Sequence, residues 1–221
     1  MATVLQMDQR SDDWFAVRCG RVTASRVADV VARTKSGYSA SRANYMAQLV
    51  CERLTGATES TFTNAAMQWG VDHEADARHA YCFHHDAEVS EVGFVLHPTL
   101  TLSGASPDGL VADDGLVEIK CPNTATHIDT LLNSAVPEKY LTQMYWQMAC
   151  TDRAWCDFVS YDPRLPEEMR LFVKRVDRDA ERVAELEAEV AKFIDELNST
   201  VDKLKAQYGP SSAAISTINA G

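Results

Sequence analysis

The sequence predicts an α/β fold, a mixed central sheet flanked by helices with one long helix at its C-terminal end. Three observations predict it. Short Val-, Leu- and Ile-rich segments at 88–97, 100–105, 108–112 and 116–121 are separated by Pro, Gly and Asp, as strands of one sheet are. Segments on either side of them show helical spacing. From Asp177 to Gln207 a stripe of Val183, Leu186, Val190, Phe193, Ile194, Leu197, Val201 and Leu204 recurs at three-and-four spacing, the mark of one long amphipathic helix packed on its own domain.

In chain order, residues 12–33 read as two short helices broken near Gly20, and 41–54 as a helix ending at Gly56. A further helix runs from Ala65 to His85, capped by Thr63 or Asn64, and another from Pro137 to Cys150. Two more strands, near 154–161 and 169–176, flank the turn Asp162-Pro163-Arg164. Residues 1–208 form one domain in this reading, and 209–221 (GPSSAAISTINAG) a flexible tail.

At 221 residues and 46% hydrophobic content the chain can bury one substantial core. No run approaches the roughly 18 apolar residues that span a bilayer, and the first thirty residues lack the apolar core of a signal peptide. Six cysteines without a C-x-x-C pair indicate neither a disulfide framework nor a zinc site, so a reducing cytoplasm is the expected compartment. The net charge of -11 argues against nucleic acid, but its distribution does not. Residues 10–42 carry seven bases against three acids, and 177–205 nine acids against five bases. The N-terminal segment can therefore face a polyanion while the C-terminal helix presents a solvated acidic surface.

The stretch SPDGLVADDGLVEIKCP (106–122) carries the chemistry. Residues two apart share a strand face, so Glu118 and Lys120 project together while Val117 and Ile119 enter the core. A three-residue loop of Asp113, Asp114 and Gly115, with Gly115 at positive φ, brings Asp108 opposite Lys120 on that face. Two carboxylates and a lysine converging in this way suit metal-assisted phosphodiester hydrolysis. Asp108 and Glu118, with the Ile119 carbonyl, would hold a hard divalent cation, Mg²⁺ above all, and Lys120 would orient the attacking water. An exposed hairpin with ordinary surface charges is the plainer alternative. Thr23 and Ser25 stand at an expected helix start, where free N–H groups and two hydroxyls make an anion pocket that Arg18 can close; ordinary N-capping explains them equally well.

The run Gly104–Pro122, G-x-x-P-D-G followed by E-I-K-C-P, resembles the family of lambda-phage-type exonucleases and YqaJ-type viral recombinases, a branch of the PD-(D/E)XK (restriction-endonuclease-like) nucleases. The resemblance begins at D-x-W-F-x-x-R-x-G-R-V-T-A-S (12–25) and passes through W-G-V-D-H-E-A-D-A-R (69–78) and Y-L-T-Q-M-Y-W-Q (140–147). It ends with A-W and Y-D-P-R between 154 and 164.

The resemblance implies a Mg²⁺-dependent 5′-to-3′ exonuclease, with one or two ions per site and Mn²⁺ able to substitute. It would act at double-stranded DNA ends and leave a 3′ overhang for recombination. It makes Glu74 an acidic ligand rather than merely the i,i+4 ion-pair partner of Arg78. It places Arg18, Thr23 and Ser25 on the 5′-phosphate with Ser106 assisting, and Arg21 and Arg26 along the DNA backbone. It puts Gln143, ahead of Gln147, in the active site; where the lambda enzyme has a second glutamine, two residues past the first, this chain has Tyr145. It also implies a ring-shaped homotrimer, a single-strand annealing protein of the phage Red beta type as partner, and a phage or prophage protein in a bacterial cytoplasm. An endonuclease on the same core, whether restriction or junction-resolving, and a non-catalytic DNA-end-binding scaffold are the rival readings.

Overall fold

A computed structural model describes residues 3–58 and 65–209. The N-terminal region comprises β1 (Thr3–Leu5), α1 (Asp12–Arg18), β2 (Val22–Thr23), a 3-10 turn over Ala24–Arg26, α2 (Val27–Val31), the hairpin β3 (Arg33–Thr34) and β4 (Gly37–Tyr38), and α3 (Ala40–Thr55). α4 (Ala65–His85) follows, with its expected cap at Thr63 or Asn64 outside the described residues. The central strands are β5 (Val89–Ser90), β6 (Phe94–Leu96), β7 (Ser103–Ala105), β8 (Gly109–Val111) and β9 (Gly115–Lys120). Then come α5 (Thr124–Asn133), α6 (Glu138–Thr151), β10 (Trp155–Tyr161), β11 (Leu171–Asp177) and α7 (Ala180–Tyr208). The expected tail beyond Gly209 lies outside the described residues. Among the described residues no helix is long and apolar enough to cross a membrane.

The strands divide between two larger sheets rather than joining one. The first has the order β1-β6-β7-β2 and the second β11-β10-β9-β8-β5, with β9 and β10 parallel and the rest of the second sheet antiparallel. The expected strand 88–97 accordingly breaks at Glu91–Gly93, with β5 in the second sheet and β6 in the first. Residues 106–108 are the link between the sheets, because β7 ends at Ala105 in one and β8 begins at Gly109 in the other. The side chain of Gln9 fastens this link, donating to the carbonyls of Val92 (2.9 Å) and Pro107 (2.9 Å).

Helices cover both faces of the second sheet. Ala77 and Tyr81 of α4 pack against Val117 and Ile119, and Met144 and Met148 of α6 against Leu116 and Phe158. The α7 stripe closes a separate core over Val22, Val27, Val30, Tyr45 and Trp146, where each fully buried aliphatic or aromatic side chain contributes about 1.5–3 kcal/mol. The long helix thus packs on its own chain, as its spacing predicts, and Asp179 caps it by accepting from the backbone N–H groups of Glu181 and Arg182. Its acidic outer face is only partly solvated: Glu189 binds Arg33 (2.8 Å) and Tyr38 (2.6 Å), and Glu196 binds Arg42 (2.8 Å). Two of the seven N-terminal bases are thereby tied to the chain's own acids.

Helix α5 has no counterpart in the expected elements. Its sequence, TATHIDTLLN, is poor in helix formers, and tertiary bonds hold it instead. Asn123 caps it, and the buried His127 joins Ser160 (2.7 Å) and the Met169 carbonyl (2.8 Å).

Candidate active site

The β8–β9 hairpin differs from expectation by one position. Val111 pairs with Gly115, so the three-residue loop is Ala112, Asp113 and Asp114, and Ala112 (φ 47°), not Gly115, takes the left-handed conformation. Gly115 is glycine for a different reason: the Trp155 indole lies where its Cβ would be. The shift puts Asp108 in line with Glu118 rather than Lys120. Because the pairing moves by two, the shared face survives. Gly109, completing P-D-G, is likewise pressed against Val89, which holds β5 close to β8.

Glu118 is the fixed point of the site. It is 0% exposed, and its carboxylate is held from three sides. Gln143 donates to Oε1 (2.7 Å), Gln147 donates to Oε2 (2.5 Å), and Lys120 forms an ion pair with Oε1. Both glutamines therefore serve one carboxylate, one turn of α6 apart. Tyr145 packs between hydrophobic clusters instead. Leaving a buried carboxylate oxygen unbonded costs at least about 1–3 kcal/mol, which accounts for two glutamines at these positions.

Asp108 Oδ2 accepts from the Ile119 N–H at 2.6 Å. A strand residue's N–H and C=O point to the same side, so the Ile119 carbonyl also faces Asp108, at the edge of the cleft that Ile119 lines. Burial, then the neighbouring Glu118 carboxylate, pushes the Asp108 carboxyl well above the usual range, although Lys120 opposes the shift. Burial disfavours the Lys120 charge, but Glu118 and Asp108 outweigh it and raise the ammonium's pKa. Lys120 also stands 5.3 Å over the Tyr140 ring.

These groups border a cleft of about 610 Å³ lined by Arg10, Glu74, Asp108, Ile119, Lys120 and Lys139, among others. Glu74 enters from α4, across the sheet from the glutamines. Arg78 donates to its Oε1 (3.0 Å), so the i,i+4 pair forms, and Arg10 donates to its Oε2 (2.6 Å). Among the described residues no three His, Cys, Asp or Glu side chains form a ready-made cation cage. The donor set nevertheless fits Mg²⁺, which takes one or two carboxylates and completes its octahedron with water and substrate phosphate.

A second pocket of about 320 Å³ lies behind α1, lined by Trp14, Arg18, Arg21, Thr23, Ser25 and Arg26 together with α3 residues. The Arg18 guanidinium stacks over Trp14 at 3.9 Å, and among the described residues it forms no ion pair. Burial lowers its pKa to about 10, which leaves it charged at neutral pH. Thr23 makes no capping bond, so the capping explanation fails for it; its hydroxyl lies 3.5 Å from that of Ser25. Ser106 accepts from Trp14 Nε1 at 2.8 Å and so reaches the pocket through the indole. Arg26 is held by Asp29 (2.6 Å) and Gln48 (3.1 Å), and Arg21 by the Val17 and Thr101 carbonyls. Of the expected site residues, Glu74, Asp108, Ile119 and Lys120 line the cleft and Arg18, Arg21, Thr23, Ser25 and Arg26 the pocket. Arg78, Glu118 and Ser106 each bond to a lining residue, and Gln143 and Gln147 reach the cleft through Glu118.

Sequence reasoning missed Trp14 as the platform for Arg18, although their i,i+4 spacing on α1 signals it. It also passed over Arg10, Lys139 and Tyr140 at the cleft, for which the sequence offers no periodic signal.

Residues 13–154 match the model of the YqaJ-like viral recombinase domain, well over half of the chain. The chain belongs to that family. No curated protein matches it. Among solved structures it is similar to the alkaline exonuclease LHK-Exo from Laribacter hongkongensis, at 53% identity and a TM-score of 0.84, with 89% of this chain and 97% of that one covered. The same values hold for LHK-Exo in complex with dAMP. A phage-related exonuclease from Haemophilus somnus 129PT shares the fold at 14% identity and a TM-score of 0.68, covering 83% of this chain and 96% of that one. The α/β nuclease architecture with its long C-terminal helix is therefore that of this family's exonuclease structures.

Proposed function

We propose that this YqaJ-family chain is a Mg²⁺-dependent 5′-to-3′ exonuclease that enters at double-stranded DNA ends. It degrades the 5′-terminated strand to mononucleotides and leaves a 3′ overhang for annealing-type recombination. The observation that carries this reading is the junction at 106–108, one short link with Ser106 bonded into the cationic pocket and Asp108 in the acidic cleft. A terminal phosphate held by Arg18, Thr23 and Ser25, with Arg21 and Arg26 along the backbone, places a nearby phosphodiester in the cleft.

Asp108, Glu118 and the Ile119 carbonyl hold the cation, with Glu74 available to a second ion. Once bound, Mg²⁺ polarises the phosphodiester and acidifies water, and Mn²⁺ substitutes for it. Lys120 orients the attacking water while Gln143 and Gln147 keep Glu118 in place. The water oxygen bonds to phosphorus as the bond to the 3′-oxygen breaks, and that oxygen leaves with a proton. The released nucleotide keeps its 5′-phosphate, and the shortened strand gains a new one for the pocket. A solved complex of the similar LHK-Exo with dAMP accords with this product.

A homotrimeric ring would reconcile an overall charge of -11 with DNA binding by placing bases in the bore, and a single-strand annealing protein would take up the overhang. The test is a linear duplex labelled separately at each 5′ and 3′ end, with and without Mg²⁺, beside a covalently closed circle. Loss of 5′ label as mononucleotide with the circle intact is expected. A nicked circle would establish the endonuclease instead, and binding without cleavage the scaffold.

A further inference from the structure

Arg10 has a left-handed backbone (φ 70°), a conformation that side-chain-bearing residues rarely adopt without compensation. It is held there from both sides. Gln9 before it is bonded to the Val92 and Pro107 carbonyls, and Ser11 after it caps α1 by accepting from the Trp14 N–H at 3.3 Å. The guanidinium reaches into the cleft and donates to Glu74 at 2.6 Å. Stability alone does not account for this arrangement. Glu74 also accepts from Arg78, whose guanidinium is shared with Glu91 at 2.6 Å, so Glu74 is not left without a partner when Arg10 moves away. The Arg10 side chain is also 48% exposed, and an ion pair so open contributes no more than the backbone conformation costs.

We propose that Arg10 is a DNA-phosphate ligand, a half-exposed cation that Glu74 keeps aimed into the cleft until a strand enters. This rests on the DNA-end reading above. Arg10 lies on the loop leading into α1, which carries Trp14 and Arg18 of the pocket, and it lines the same cleft as Lys120 and Lys139. A strand running from the pocket to the cleft passes between these two sets. As it does, Arg10 exchanges the Glu74 oxygen for a phosphate oxygen, and Arg78 continues to hold Glu74.

The test compares Arg10→Gly and Arg10→Lys, each in a Lys120→Ala background that blocks cleavage. Binding of a fluorescent 5′-phosphorylated duplex is followed by anisotropy across a KCl series. Glycine accepts the left-handed backbone, so the fold is kept. Arg10→Gly is expected to make the slope of log K against log salt shallower by about 0.9, one phosphate contact, and Arg10→Lys to keep most of the slope. An unchanged slope for Arg10→Gly would overturn the proposal, as would a fall in melting temperature that Arg10→Lys repairs while both variants bind alike, since that marks a structural clamp. If neither the Lys120→Ala parent nor the unsubstituted protein without Mg²⁺ bound duplex, the DNA-end reading itself would be lost, and Arg10's role with it.

Discussion

The cleft at the end of β9 and the pocket behind α1 share one link in the chain but are built oppositely. At the cleft, Glu74 and Asp108, with the fully buried Glu118 behind Lys120, are set against Arg10, Lys120 and Lys139, and Glu118 is bonded at both oxygens. In the pocket the cations outnumber the acids, and Arg18 is left on an aromatic platform. Balanced charge suits bond breaking, where charge shifts during reaction; surplus positive charge suits holding an anion that does not react. Substitutions in the two regions should therefore fail differently.

The largest effect is expected from Lys120→Ala. Removing the group that orients the water should cut the single-turnover cleavage rate by about 10²- to 10⁴-fold, with duplex affinity nearly unchanged by anisotropy. A comparable loss in affinity would mean that the cleft also grips DNA through Lys120, and the contrast between the regions would narrow. Arg18→Ala should show the converse. Loss of one charge-assisted contact, about 1.5–3 kcal/mol, predicts about 10- to 100-fold weaker use of 5′-phosphorylated ends and little change on 5′-hydroxyl ends. Kinetics on the two substrates side by side measure it, and equal losses on both would remove the phosphate-pocket assignment.

The two regions were also unequally legible in the sequence. The cleft's acids and lysine were readable from P-D-G and E-x-K, because strand periodicity alone puts Glu118 and Lys120 on one face. The hairpin loop was misjudged by one position, and the pairing by two, because glycine after two aspartates signals a left-handed turn, whereas packing against Trp155 determines Gly115. Such packing between distant segments leaves no local trace. The same is true of α5, held by His127 against Ser160 and Met169, and of the division into two sheets. The charge asymmetry was legible in sign but not in use, since Arg33 and Arg42 are taken up by α7 rather than facing a polyanion. Arg10 was invisible because its importance lies in a backbone angle.

The smallest effect concerns the far wall of the cleft. Arg164 stacks on Trp69 of α4 at 4.1 Å and is anchored by Asp162, which accepts its Nε (2.7 Å) and Nη2 (2.9 Å). This anchor steadies the helix that carries Glu74. Burial opposes the Asp162 charge, but hydrogen bonds from Arg164 and Thr124 win and lower its pKa to about 2. An unfolded aspartate titrates near 3.9, so the folded state binds this proton less readily than the unfolded chain. The stabilisation, about 2 kcal/mol, is complete well above pH 4 and is lost as pH falls toward 2. Urea unfolding of the wild type and Asp162→Asn should differ by that amount at pH 6 and converge near pH 2. Arg18 stays charged throughout that range, so the pocket should keep its form while the cleft wall loosens. A stability difference that persisted unchanged to pH 2 would show that Asp162 acts through packing rather than charge, and the cleft would then owe its far wall to the same kind of contact that builds the pocket.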